Sequence, residues 1–424
     1  MQTKVVKKPY FGWAIVAASV FTFGIAVGLP YYNLPFFYDY FQKTYGWRLD
    51  QITLGFPLAA LLTIWVGPLL IPRFSPRKLI LVGTAFTAVA LCGFGLMGSS
   101  IWFYFLLYFM YTVGYLFSGP IPHQILVSHW FKKMRGRAMG IVYVGVGLVG
   151  ALGAKLVKPL TETYGFHTAL MVMGLLMFAT WPVALLILRD KPAEKGLLPD
   201  GADEPPADLN IEPLPYSTLI KSWPFWLLMI GSIASIGSIG VINFHMKFVF
   251  RDEGFTNQSA LNSVWSTAQF WILISSIAGR LGIGYFADIF PKKWVMTATY
   301  FIVSATIPLL LFVRPPNDPI IFAIVFGLAM GADYMLIPLM AAEQFGVNSL
   351  ARAMAIILPA NTIGQTWFPQ LVSIMREHYG NYTTPLTYIF VLAMIGAVAI
   401  AILPKHSPLV DPKIPLGETG KITV

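Results

Sequence analysis

The chain is dominated by long apolar stretches that are interrupted by charged residues, proline or clusters of glycine. A membrane-spanning helix needs about twenty apolar residues at a rise of about 1.5 Å per residue. Twelve stretches reach that length, which predicts twelve transmembrane helices. Their approximate limits are 11–40, 50–72, 78–98, 101–129, 137–158, 166–189, 222–249, 258–287, 293–313, 319–343, 350–375 and 384–404.

The composition also indicates a chain embedded in a bilayer along its whole length. Of the 424 residues, 56% are hydrophobic and only 11% are charged, whereas about a quarter of the residues of a soluble domain are charged. The mean hydropathy of +0.68 excludes a soluble enzyme held by a single anchor. The one cysteine, Cys92, excludes an intramolecular disulfide. The apolar stretch after Lys8 is too long for a cleavable signal peptide.

An even number of spans places both ends of the chain on one side, and the distribution of basic residues indicates which side. If the termini and the even-numbered loops are cytoplasmic, twenty of the 29 Lys and Arg residues lie on that side, eight lie opposite, and Arg280 alone lies inside a span. We therefore expect a plasma-membrane protein with both termini in the cytoplasm. The net charge of +10 follows from this topology, so nucleic acid is not an expected partner.

Residues 190–221 differ from the rest of the chain. They hold seven of the nineteen acidic residues and six prolines, a composition typical of a solvated linker that buries no core. The predicted organisation is an N-terminal six-helix bundle at 1–189, this linker, a C-terminal six-helix bundle at 222–404 and a cytoplasmic tail at 405–424.

The two halves resemble each other at an offset of 215 to 216 residues. The segment that begins at Arg137 recurs at Arg352, Pro122 corresponds to Pro338, and the basic pair at 77–78 corresponds to that at 292–293. Three matches at one offset, each in the corresponding element, favour an internal repeat over chance similarity between apolar segments. Parallel six-span repeats are typical of transporters whose substrate site lies between the halves, in a central cavity near the middle of the membrane.

Two loops resemble the cytoplasmic gate motif of the major facilitator superfamily, which reads G-x-x-x-D-R-x-G-R-R/K. In the first copy Pro72 stands where the motif has its aspartate and Ser75 where it has its second glycine. The resemblance implies an all-α membrane protein of twelve helices with the major facilitator fold. It assigns a gating role to Arg73, Arg77, Lys78, Gly284, Asp288, Lys292 and Lys293.

A more specific resemblance is to the monocarboxylate porter family. The run from Trp130 to Gly140, continuing to Gly145, is similar to that family's second signature: an aromatic pair, a basic cluster, and then A-x-G. The segment 12–16 resembles the end of the first signature, although Lys8 stands where the family has an acidic residue. In this family and in the related oxalate/formate antiporters, an arginine in span 8 binds the substrate carboxylate, which implies that role for Arg280.

Arg280 is also unusual on physical grounds. It lies eight residues before Asp288, or about 12 Å into the membrane. A charge at that depth needs partners or a water-filled cavity, and such residues mark transport pathways. The alternative is a structural ion pair or a helix-packing hydrogen bond to a carbonyl group. Arginine suits carboxylate binding because its planar fork donates two parallel hydrogen bonds and its charge does not titrate away.

Asp333 is the second deep charge, ten residues before Glu343. It is predicted either to pair with Arg280 and take up the proton when substrate displaces it, or to be a structural anchor. The family's own proton-handling residues are absent, since Ser276 replaces an acidic residue and Tyr31 a lysine. His245 is therefore the other proton-coupling candidate, with an interfacial histidine that helps to attract anions as the alternative. His123 is predicted to pack and to bond a backbone carbonyl.

Asn361 stands where the oxalate/formate antiporters carry a second cation, so a single deep cation is expected to match a single carboxylate.

The glycines of span 5 are predicted to allow close helix contact. The residues expected at the substrate site are Arg280, Tyr31, Tyr334, Ser276, Asn361 and Phe117, with Tyr32 as a further aromatic candidate.

These observations favour a secondary transporter of small monocarboxylates such as lactate or pyruvate, coupled to protons and acting as a monomer by alternating access. Carrying an anion alone against a negative interior is opposed by about 2.3 kcal/mol per 100 mV, which favours proton symport. The alternatives are organic anion exchange of the oxalate/formate type and, ranked lower, a membrane receptor or sensor. The six histidines are scattered, so neither an enzyme nor a metal site or cofactor is predicted.

Overall fold

The computed structural model describes residues 10–202, 212–315 and 319–404, and no strand occurs within these ranges. The predictions for Lys4, Lys7 and Lys8, for the middle of the linker and for the tail at 405–424 fall outside the described residues. We call the end of the molecule that carries the linker the linker face, and the other end the opposite face.

Six helices form each half, and the linker helix Tyr216–Lys221 precedes the second half. The first half contains α1 Gly12–Tyr45, α2 Gln51–Leu62 continued by Val66–Arg73 after a 43° bend, α3 Pro76–Leu96, α4 Ile101–Trp130, and the run Arg135–Leu186, which comprises α5 at 135–164 and α6 at 166–186. The second half contains α7 Trp223–Asp252, α8 Gln258–Ile289, α9 Lys292–Leu311, α10 Ile320–Phe345, α11 Leu350–Tyr379 and α12 Thr383–Ile402.

The long run Arg135–Leu186 contains two antiparallel spans. Gly165 separates them with a φ of +81° and a ψ of 160°, a conformation that favours glycine. After this reversal α6 returns along α3: His167 Nδ1 bonds the Gly95 carbonyl at 2.7 Å, and the Asp190 carboxylate accepts from the Arg77 backbone N–H at 2.8 Å. The chain thus crosses twice between residues 135 and 186.

Nine stretches in the described ranges are long and apolar enough to cross a membrane, and the bent α2 makes ten. The division at Gly165 adds one more. The thirty residues of α11 are long enough to span, but this helix carries polar side chains such as Asn361 and Gln365 and is not among those ten. The twelve helices expected from the sequence are therefore all present.

The first helix is irregular where it approaches the middle of the molecule. Prolines lack the N–H that would pair with the carbonyl four residues earlier, and α1 has a π-helical turn at Gly24–Gly28 before Pro30 and a 3₁₀ turn at Leu34–Phe37 around Pro35. Departures of this kind are frequent at functional sites because they redirect side chains. This part of α1 supplies several of the side chains that line the cavities described below.

The halves are joined near the linker face. The largest buried apolar cluster contains side chains of both halves, such as Met139 of α5, Met335 of α10 and Met354 of α11. The two other clusters each lie within one half. The α5 glycines allow close approach to α1, as the sequence predicts: a Cβ on Gly145 would lie 2.4 Å from the Val20 carbonyl oxygen.

Candidate functional site

A central chamber of about 360 Å³ lies between the two halves. The first half contributes side chains of α1, α4 and α5, and the second contributes side chains of α7, α8, α10 and α11. The lining residues include Phe23, Tyr31, Tyr32, Tyr115, Tyr143, Asn243, Gln269, Ser276, Arg280, Tyr334 and Gln365. Among the described residues that line it, Arg280 alone carries a charge.

A second chamber of about 360 Å³ extends from the first toward the opposite face. Tyr31, Asn243 and Gln365 line both chambers. Gln365 connects the halves at this boundary, because its Oε1 accepts from the Tyr334 hydroxyl at 2.6 Å and its Nε2 donates to the Tyr31 hydroxyl at 3.3 Å. The partition between the chambers is therefore a hydrogen-bonded amide held by two phenols.

Arg280 presents an incompletely satisfied guanidinium to the central chamber. Its side chain is only 8% exposed, Nη1 lies 3.5 Å from the Ser276 hydroxyl, and Nε has no hydrogen-bond partner among the described residues. Gly147 of α5 leaves space for the head group, since a Cβ there would lie 3.1 Å from Nη1. A buried cation with unused donors is suited to binding an anion.

The structure brings together most, but not all, of the predicted site. Tyr31, Tyr334 and Ser276 line the chamber with Arg280. Phe117 is 5% exposed and packs in the buried apolar cluster instead. Asn361 is fully buried and accepts from the Ser232 hydroxyl at 2.9 Å.

Asp333 does not pair with Arg280 in this structure, since the described residues form no ion pair between them within 4.0 Å. It is fully buried, its Oδ2 accepts from the Ser235 hydroxyl at 2.5 Å, and its Oδ1 has no partner at hydrogen-bond geometry within the described ranges. The Tyr300 hydroxyl of α9 is a further neighbour. Successive helix residues point about 100° apart, so Asp333 faces α7 and α9 while Tyr334 faces the chamber.

His245 and His123 are each held by hydrogen bonds to groups other than Arg280. His245 is 2% exposed; its Nε2 donates to the Pro369 carbonyl at 2.8 Å, and its Nδ1 lies 3.0 Å from the Tyr382 hydroxyl. His123 is fully buried and its Nδ1 donates to the Gly119 carbonyl at 2.8 Å, the packing role expected from the sequence. Both ring nitrogens of His245 are thus engaged away from Arg280.

Asp288 fastens α8 to the start of α5 at the linker face. Its carboxylate accepts from the backbone N–H groups of Gly136 and Arg137 at 2.6 and 3.0 Å, and the Arg137 side chain lies 3.4 Å away and over the Tyr285 ring. Backbone N–H groups at a helix N-terminus favour such a negative charge. Gly284 permits this contact, because a Cβ on it would lie 2.7 Å from the Gly136 carbonyl oxygen.

The position related to Asp288 by the repeat is Pro72, which has no carboxylate, and the linker supplies contacts there instead. Arg352 at the start of α11 donates to the linker carbonyls of Pro213 and Leu214 at 2.9 and 2.8 Å, and the Tyr216 hydroxyl donates to the Pro68 carbonyl at 2.6 Å. Burial raises the pKa of the Tyr216 phenol, so it keeps its proton and donates at neutral pH.

The remaining gate-motif residues make local contacts. Arg73 and Lys78 are exposed, and the Arg77 side chain donates to the Leu185 carbonyl at 2.6 Å. Lys292 pairs with Glu343 at 3.1 Å, and Lys293 lies over the Trp294 ring. Within the described residues, the contact between the halves that these motifs supply is that of Asp288 and Gly284.

Sequence reasoning missed several lining residues, above all the neutral amides Asn243, Gln269 and Gln365. Uncharged amides inside apolar stretches are costly in lipid unless they are hydrogen-bonded or face a cavity, and this signal could have identified them. In the described part of the chain, no three His, Cys, Asp or Glu side chains are grouped so as to hold a metal ion.

Residues 120–282 match the sequence model of the Major Facilitator Superfamily. The fujikurins efflux protein of Gibberella fujikuroi is 26% identical over 353 residues, which cover 79% of this chain and 70% of that protein. Monocarboxylate transporter 10 of Rattus norvegicus is 21% identical over 420 residues, which cover 93% of this chain and 78% of that protein. The crystal structure of the human organic anion transporter MFSD10 superposes with a TM-score of 0.70 at 11% identity, covering 93% of this chain and 100% of that one.

The fold is therefore that of the major facilitator superfamily, and the resemblance identified in the sequence is confirmed. The proteins matched are membrane transporters, and the described residues of this chain hold the apolar helices of a multi-pass membrane protein.

Proposed function

We propose that this chain, a transporter with the major facilitator fold, carries a monocarboxylate across the membrane by alternating access, with Arg280 as the residue that binds the carboxylate. One observation carries the proposal: Arg280 is the single charged side chain among the described residues lining the two chambers, and its guanidinium retains unused donors. A second negative charge on the substrate would be poorly compensated in so apolar a site.

We assign the coupled proton to Asp333 in preference to His245. This carboxyl group is fully buried, with the Ser235 and Tyr300 hydroxyls beside it and no cation within 4.0 Å in the described ranges, so burial penalises its charge and suits it to carrying a proton. It is adjacent in sequence to Tyr334, so movement of α10 around the substrate would change its surroundings. Both ring nitrogens of His245 are satisfied in place. Symport with a proton also makes uptake of the anion electrically neutral.

The linker face is proposed to be cytoplasmic, in the plasma membrane, because the excess of basic residues lies on that side. We propose a monomeric transporter, because the two halves of one chain are enough to form both chambers. Exchange of organic anions is the nearest alternative. A pH gradient that drives uptake into proteoliposomes lacking internal anion supports symport, whereas a strict need for internal anion supports exchange.

Substitution of Arg280 by lysine tests the binding role. Purified protein is titrated with 2-oxo acids of increasing size, beginning with pyruvate, and binding is followed by thermal stabilisation. Lysine keeps the charge but loses the bidentate fork, so we expect affinity to fall by about tenfold or more. Arg314→Lys, which changes an exposed arginine of the opposite face, is the matched control. An Arg280→Lys variant with unchanged affinity would contradict the proposal.

A further inference from the structure

The central chamber is much larger than a three-carbon acid requires. Cavities of about 300 to 1,000 Å³ are typical of sites that enclose drug-sized ligands, and this chamber alone measures about 360 Å³. Lactate or pyruvate at Arg280 would leave most of its apolar wall in contact with water. Apolar surface contributes to affinity only when the ligand covers it, so the chamber favours a substrate with a bulky tail.

Apart from Arg280, the wall of the central chamber is uncharged and rich in aromatic rings. Phe23, Tyr31, Tyr115, Tyr143 and Tyr334 come from α1, α4, α5 and α10, so both halves contribute rings. Aromatic rings bind other rings by edge-to-face or offset contacts that add to simple apolar burial. A short aliphatic acid makes no such contact.

These rings are fixed before any substrate arrives. Phe23 stacks on His123 with centroids 4.8 Å apart and meets the Tyr143 ring edge-on at 5.2 Å. The Tyr143 hydroxyl accepts from the Gln124 amide at 2.5 Å, and Tyr334 is held by its hydrogen bond to Gln365. Rigid rings lose little conformational entropy on binding, which makes them effective contacts for a flat partner.

We propose that the preferred substrate is a monocarboxylic acid that carries an aromatic ring, with its carboxylate on Arg280 and its ring against the aromatic wall around Tyr334 and Tyr143. This inference rests on the proposed function, since it takes Arg280 as the carboxylate site. It replaces the lactate or pyruvate expected from the sequence with a larger, flat member of the same chemical class.

Three acids with one head group test the proposal. Pyruvate, 4-methyl-2-oxopentanoate and phenylpyruvate share the 2-oxo carboxylate and differ in their tails: methyl, branched aliphatic and phenyl. Their affinities are measured on the purified full-length chain by thermal stabilisation and by isothermal titration. We expect phenylpyruvate to bind about tenfold more tightly than pyruvate or more, and more tightly than the aliphatic acid.

Two substitutions at one position separate the ring from its hydroxyl. Tyr334→Phe keeps the aromatic face and should keep the ratio of phenylpyruvate to pyruvate affinity, whereas Tyr334→Leu removes the ring and should reduce that ratio. Trp102→Leu, which removes an aromatic side chain that is 78% exposed on the molecule's surface, is the control.

The outcomes distinguish this inference from the function on which it rests. Pyruvate or the aliphatic acid binding as tightly as phenylpyruvate, with all binding lost in Arg280→Lys, overturns the aromatic preference and leaves the carboxylate site standing. A phenylpyruvate affinity unaffected by Arg280→Lys overturns the carboxylate site itself. A Tyr334→Leu variant that retains the full preference also overturns the inference.

Discussion

At the scale of single residues, the sequence identified the central cation but not its environment. Arg280 could be identified because an apolar span tolerates few charges, so an arginine about 12 Å into the membrane indicates a functional site. Pairing with Asp333, one of the two alternatives that the sequence left open, is absent, because depth along a helix is readable from sequence whereas the direction of a side chain depends on how the helices pack. Asp333 faces Ser235 and Tyr300 inside the second half.

Substitutions of Asp333 and His245 distinguish the two candidates for the coupled proton. Asp333→Asn keeps the shape of the side chain but removes its titration, so we expect pH-driven accumulation to be lost while exchange of labelled for unlabelled substrate continues. His245→Gln should retain pH-driven accumulation, because its hydrogen bonds are structural. Both activities are measured in proteoliposomes. Full pH-driven accumulation by Asp333→Asn would exclude this residue as the coupling site.

At the scale of helices, the sequence predicted the number of spans and the tight packing of α5. Its glycines could be interpreted without a structure because repeated small residues on one helix permit close backbone approach in a membrane. The π-helical turn of α1 could not be placed in the same way. It depends on which side of the helix meets the chambers, and an apolar stretch that is hydrophobic all round carries little directional signal.

Gly140 of α5 provides a test of this packing. A Cβ at Gly140 would lie 2.3 Å from the Arg280 carbonyl oxygen, so Gly140→Ala should push α5 from α8 and cost about 1–3 kcal/mol. We expect a Tm lower by a few degrees and slower transport. Gly282→Ala on α8 is the matched control, because a Cβ there meets no atom within 4 Å. Equal Tm values for the two variants would show that the close α5–α8 contact does not limit stability.

At the scale of the whole molecule, two halves and a linker could be read from composition and from the internal repeat. The two halves contact each other differently at the linker face, and only part of this difference could be predicted from the sequence. The sequence shows that Pro72 breaks the repeat of Asp288, but linker contacts to Arg352 and Pro68 connect residues far apart in the chain. Contacts of this kind depend on tertiary structure and leave no local pattern. Among the described residues, the linker face is therefore closed by the Asp288 carboxylate at one repeat position and by the linker at the other.

The Asp288 contact should hold the state in which the linker face is closed. Charge-assisted hydrogen bonds contribute about 1.5–3 kcal/mol each, so Asp288→Asn should shift the population toward opening at that face by about tenfold or more. In a Cys92→Ser background, Thr366→Cys places a single cysteine in the second chamber, where it reports access from the opposite face. Labelling by a membrane-impermeant maleimide should slow in Asp288→Asn. Asp252→Asn, which breaks an ion pair to Arg376 within the second half, should leave the rate unchanged; equal rates in all three proteins would mean that Asp288 does not hold the halves together.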